Sequence, residues 1–100
     1  MDDERFYAVL RQICRKYNIV VKRQPPEDNG YYEAEVFSFI RNKRKAKYLI
    51  EVSIWQFQIE YLFYLDHKDP RRGRVLKRSK NKHSHLAFFR SFVSKNYRLF

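Results

Sequence analysis

The sequence predicts an α+β fold, an antiparallel sheet of three to five strands covered by an N-terminal and a C-terminal helix. Three observations predict it. Apolar residues recur at helical period near both ends of the chain, over 2–17 and over 84–100. Between those stretches, β-branched and aromatic residues alternate with polar ones at period two. The turns separating the alternating runs are short, and consecutive strands joined by short turns pair antiparallel. A half-buried sheet needs its apolar face covered, and two amphipathic helices supply the cover. One hundred residues suit a single compact domain, 1–100, with a basic hairpin at about 66–78.

The first helix rests on Phe6, Leu10, Ile13, Cys14 and Tyr17, which share one helical face. Asp2, Asp3 and Glu4 complement the positive end of its dipole, and Arg15 and Lys16 the negative end. Asn18 suits the left-handed residue that closes a helix, with Ile19 covering that end. A strand over 18–24 follows, then "PPEDNG", read as a turn or loop. Residues 31–41 alternate as a second strand. "RNKRKAK" turns the chain into a third, "KYLIEVSIW". Residues 55–66 fit both periods, and the polar alternation of Gln56, Gln58 and Glu60 favours a strand. The apolar set is even-numbered before Trp55 and odd-numbered after it, which requires a bulge or a tight turn there. The last helix starts at an N-cap, Ser84, and turns Leu86, Phe89, Val93 and Tyr97 inward, with Arg90, Ser94, Lys95 and Arg98 outward.

The apolar share of 44% supports a real core. No window reaches the roughly 18 uncharged apolar residues of a membrane span. The acidic, amphipathic N-terminus is unlike a signal peptide. Cys14 is the single cysteine, so no intrachain disulfide forms and the chain is read as intracellular, cytoplasmic or nuclear.

Net charge is +11, unevenly distributed. Residues 1–35 carry six Lys/Arg against seven Asp/Glu, and residues 36–100 carry sixteen against four. Clustered excess of this kind points to a polyanionic partner, first of all nucleic acid. One cluster is Arg41, Lys43, Arg44, Lys45 and Lys47; the other is Arg71, Arg72, Arg74, Lys77, Arg78, Lys80 and Lys82. Phosphate contacts need cations at spacings that follow a backbone and carry little sequence information. Within the second cluster, Asp69 and Pro70 suit a type I turn and Gly73 the positive φ after it, so a hairpin forms with Arg71 and Arg72 at its tip. A returning strand over 74–78 and a linker over 79–83 complete it. Tyr31 and Tyr64 are the aromatics best placed to stack on bases.

Three resemblances bear on this reading. The helix–three strands–helix order resembles the double-stranded-RNA-binding domain in topology, but neither "RNKRKAK" nor "KRSKNK" has that family's Lys motif spacing. Glu51 followed by Asp66 and Lys68 resembles the PD-(D/E)xK nucleases. The resemblance implies carboxylates on Mg²⁺ and a lysine that orients water. His83-Ser-His85, with Tyr97 downstream, resembles the histidine pair and tyrosine of replication-initiator and transposase nucleases, which implies a metal site.

The expectation drawn is a small basic nucleic-acid-binding protein without catalysis or cofactor, of a kind that suits a virus or mobile element. The alternatives are a metal-dependent nuclease and a module that meets an acidic protein. No membrane partner is expected, and an exposed edge strand offers a route to a homodimer.

Overall fold

A computed structural model describes residues 3–24, 27–28, 32–56, 58–66 and 74–100. The fold is α+β, with an antiparallel sheet and a helix from each end of the chain. Helix α1 spans Asp3–Arg15 and α2 spans Lys82–Asn96, ending in a 3-10 turn at Tyr97–Leu99. The strands are β1 Ile19–Arg23, β2 Glu27–Asp28, β3 Tyr32–Arg41, β4 Arg44–Trp55, β5 Gln58–Leu65 and β6 Arg74–Ser79. They lie in the order β1-β3-β4-β5-β6, and β2 pairs with β3 beyond the end of β1.

Local chemistry explains the connections. Asn18 has φ 59°, the left-handed close that ends α1. Arg41 pairs with Arg44, leaving a two-residue loop in which Asn42 and Lys43 both have positive φ, 53° and 64°. That is the loop geometry whose twist matches its flanking strands. The turn is therefore only Asn42–Lys43, and most of "RNKRKAK" is strand. Trp55 pairs with Gln58, and Gln56 has φ 49°. A two-residue loop pairs even positions with odd ones, which is the parity switch seen at Trp55.

The start of α2 differs from expectation. Asn81, not Ser84, is the N-cap: its Oδ1 accepts from the backbone N–H of His83 and Ser84 at 2.9 and 3.1 Å. Residues 82 and 83 are helix rather than linker. The expected loop over 25–30 contains the short strand β2, which finds unpaired β3 backbone beside it. The turn at 69–73, with Arg71 and Arg72, lies outside the described residues.

Both helices cover the same face of the sheet. Phe6 of α1 packs on Phe37 and Tyr61 at centroid distances of 5.5 and 5.3 Å. Phe89 of α2 stacks on Phe39 at 5.3 Å and meets Phe63 edge-on at 5.4 Å. Phe37, Phe39, Phe63 and Phe89 are all buried, and truncating such a ring to alanine costs about 3–5 kcal/mol. Cys14 is buried among them, and burial pushes its thiol up to about 12, so it behaves as a small core residue. His85 is also fully buried, between Phe6 and Tyr61, although the sequence pattern places Leu86 on the inner stripe. No helix among the described residues is long and apolar enough to cross a membrane.

Candidate nucleic-acid interface

Strand direction decides where the cations go. β1 starts, β3 ends, β4 starts, β5 ends and β6 starts at one end of the sheet. The C-terminal ends of both helices arrive there too: Tyr17, just after α1, stacks on Tyr97, just after α2, at 5.2 Å. This end gathers Lys43, Arg44, Lys45 and Lys47 from the β3–β4 hairpin, Arg41 beside it, and Arg74 at the start of β6. Arg15, Lys16, Lys95 and Arg98 join them from the helix ends, where cations also complement the dipoles. Among the described residues, Asp66 is the one acidic side chain at this end, its backbone N–H donating to the Lys47 carbonyl.

Part of this array is held in place by aromatic rings. The Arg41 guanidinium lies 5.6 Å from the Tyr97 centroid, and its Nη1 donates to the Arg98 carbonyl at 3.5 Å. Arg98 lies 5.7 Å from the same ring, and Lys16 lies 5.9 Å from Tyr17. Arg98 Nε donates to Tyr97 Oη at 3.4 Å. That bond and the Arg98 charge, with Arg41 adding, hold the Tyr97 hydroxyl below its ordinary pKa. Lys43, Arg44 and Lys45 are exposed, and none is in an ion pair with a described residue.

The opposite end carries acids. Arg23 is bound there by both Glu4 and Glu35, the latter buried, and these bonds raise the Arg23 pKa, Glu4 first. Arg78 pairs with Glu60 at 3.2 Å, and Lys80 donates to Gln58 at 3.2 Å. The second expected cluster is thus divided. Arg74 sits at the basic end, Lys77 lies over the Phe88 ring at 5.9 Å, and Arg78, Lys80 and Lys82 lie toward the acidic end.

The other candidates also separate. Glu51 accepts from Ser53 Oγ at 2.9 Å and pairs across the ladder with Leu62. Asp66 lies four residues after Leu62, just past the end of β5, about 13 Å away at the usual strand rise. The structure does not bring these two carboxylates together, and Lys68 lies outside the described residues. His83 is exposed while His85 is buried, because residues two apart on a helix point to different faces. Neither ring nitrogen of His85 has a hydrogen-bond partner, and burial, with Lys77 adding, lowers its pKa to about 4. Among the described residues no group of three or more His, Cys, Asp or Glu could hold a metal ion. Tyr64 is half-buried; burial first, then Glu51 and Asp66, push its hydroxyl up to about 12. Tyr31 lies outside the described residues.

The reading by clusters missed Tyr17, Tyr97 and the helix-end cations. Only the adjacent Tyr97-Arg98 pair signalled them, because the stacking partner is eighty residues away in sequence. No protein-family model, no curated protein and no solved structure matches this chain. The fold and the charged end therefore define a class, a two-layer α+β protein with one strongly basic end.

Proposed function

We propose that this chain binds nucleic acid through phosphate contacts at the basic end of its sheet. The observation that carries the reading is the convergence of cations from the β3–β4 hairpin, β6 and both helix ends on one surface with a single described acidic side chain. Cations from four elements at fixed spacing suit a polyanion with regularly spaced charges. The two-residue hairpin loop and the Tyr17–Tyr97 stack hold much of that spacing in place. Phosphate binding of this kind releases counterions, so affinity falls steeply with salt.

The test is a mobility-shift series on single- and double-stranded DNA and RNA across ionic strength. Lys43→Ala, Arg44→Ala and Lys45→Ala combined is expected to weaken binding about 30-fold and to flatten the logarithmic salt slope by about three. Arg78→Ala with Lys80→Ala is expected to change binding less than about threefold, because these groups already have partners within the sheet. Failure to retain any of the four nucleic acids at low salt rejects the reading.

A further inference from the structure

The two helices cover one face of the sheet, and no described element covers the other. The molecule measures 21 Å along its shortest axis, the thickness of two layers. Antiparallel sheets tolerate an open face when its alternate residues are polar. Here the register puts aliphatic side chains on it. Val20 lies beside Ile40, and Val36 and Leu62 flank Glu51. Ser38, Leu49, Tyr64 and Val75 form one row across β3 to β6, in which Ser38 and Leu49 are already buried by their neighbours and Tyr64 is half-buried. Val20 and Val75, on the two edge strands, are 53% and 47% exposed. The polar groups at the acidic end of this face bond among themselves: Glu51 with Ser53, Glu60 with Arg78, Gln58 with Lys80. They need no partner, whereas Val20 and Val75 at the two edges and the part-exposed Val36, Ile40 and Leu62 between them leave apolar surface open to one.

We propose that this open face is the interface of a homodimer, sheet packed on sheet, with the strands of the two copies running antiparallel. Area supports a second copy. Five strands about 4.8 Å apart and about eight residues long present roughly 600 Å² per copy, or about 1,200 Å² in total. That reaches the lower bound for a specific interface. Charge selects the orientation. A parallel arrangement would bring two basic ends together, whereas the antiparallel one separates them by the sheet's length, about 30 Å and well beyond screening range. Charge also disfavours other occupants: an acidic protein is drawn to the basic end, and nucleic acid would meet Glu51 in the middle of the face. Edge-to-edge pairing is disfavoured as well. Tyr7 Oη donates to the Val21 carbonyl of β1 at 3.4 Å, and β6 would set Arg74 and Arg78 against their own copies.

Sedimentation equilibrium of the nuclease-treated full chain tests this. The expected result is a dimer with a dissociation constant on the order of 1–10 µM. Leu62→Lys is expected to weaken it at least tenfold. Should Leu62→Lys fail to fold by circular dichroism, Val20→Lys with Val75→Lys serves, since both sites are exposed in the single copy. The Lys43→Ala, Arg44→Ala variant, which leaves the open face and its Lys45 untouched, is expected to bind nucleic acid more weakly but to dimerise as the parent does, which separates this proposal from the nucleic-acid reading. A chain that stays monomeric at about 100 µM overturns the proposal. So does a dimer that survives the face substitutions, or an oligonucleotide that protects Tyr64 on a chain that remains monomeric.

Discussion

At one end of the sheet Arg23 is paired with both Glu4 and Glu35, and the exposed Arg78 with Glu60. At the other end Arg41 rests on a tyrosine ring and a carbonyl, and Lys43, Arg44 and Lys45 are in no ion pair with a described residue. The same residue types serve opposite purposes. Arginines matched by carboxylates tie strands and helix together with their charge offset, by two carboxylates at Arg23 and by one at Arg78. Arginines held by aromatic rings keep their positive charge and still have fixed positions. A basic chain therefore has to be read by partner as well as by count, and net charge alone does not locate a binding surface.

The largest expected effect breaks the acidic end. Arg23→Ala removes the charge-assisted bonds that Arg23 makes to Glu4 and to Glu35, whose side chain is 5% exposed. The expected cost is about 3–4 kcal/mol in urea unfolding, with Glu35→Gln in the same background recovering a large part. Arg44→Ala, at the basic end, is expected to stay within about 0.5 kcal/mol of the parent.

Next comes His85, which lies beneath the acidic end with no partner on either nitrogen. Its pKa is lowered from 6.5 to about 4, so the folded chain holds it neutral. Its contribution is complete above pH 6.5. As pH falls below that, the unfolded chain takes up a proton that the folded one refuses. Stability then drops by about 1.4 kcal/mol per pH unit, roughly 3 kcal/mol by pH 4. Denaturant midpoints measured across this range should show the slope, and His85→Phe should remove it.

The smallest effect sharpens the contrast from both sides. Tyr97→Ala releases Arg41 and is expected to weaken nucleic-acid binding a few-fold, about 0.5–1 kcal/mol. Glu60→Gln releases Arg78 and is expected to strengthen it about twofold. Equal changes from the two variants in the mobility-shift assay would show that ring-held and carboxylate-held arginines do not differ.

Much of the architecture was legible in the sequence, because it depends on neighbours. The α1 stop at Asn18 and the tight turn after Trp55 follow from a left-handed residue and a parity switch. Both helical stripes were visible at period 3.6, although the second was displaced: it buries His85 where the pattern favoured Leu86. Asn81 and Ser84 both suit a cap in the sequence, and only the extended backbone of Asn81 and its side-chain bonds to the His83 and Ser84 N–H groups separate the two. The site was less legible. The two basic segments stood out, but nothing in a linear pattern says that Arg74 shares an end of the sheet with Arg44 while Arg78 meets Glu60.

The sequence by itself determined the elements, their order, the short antiparallel connections and the excess of positive charge. These follow from side-chain period, turn chemistry and composition, which act over a few residues. Only the tertiary structure decided which cations stand together, which are neutralised and which sheet face the two helices cover. Those outcomes depend on strand direction, register and the side of the sheet each helix takes. Tyr17 reaches Tyr97, and Arg23 reaches both Glu4 and Glu35, because folding reduces separations of many residues to a few ångströms.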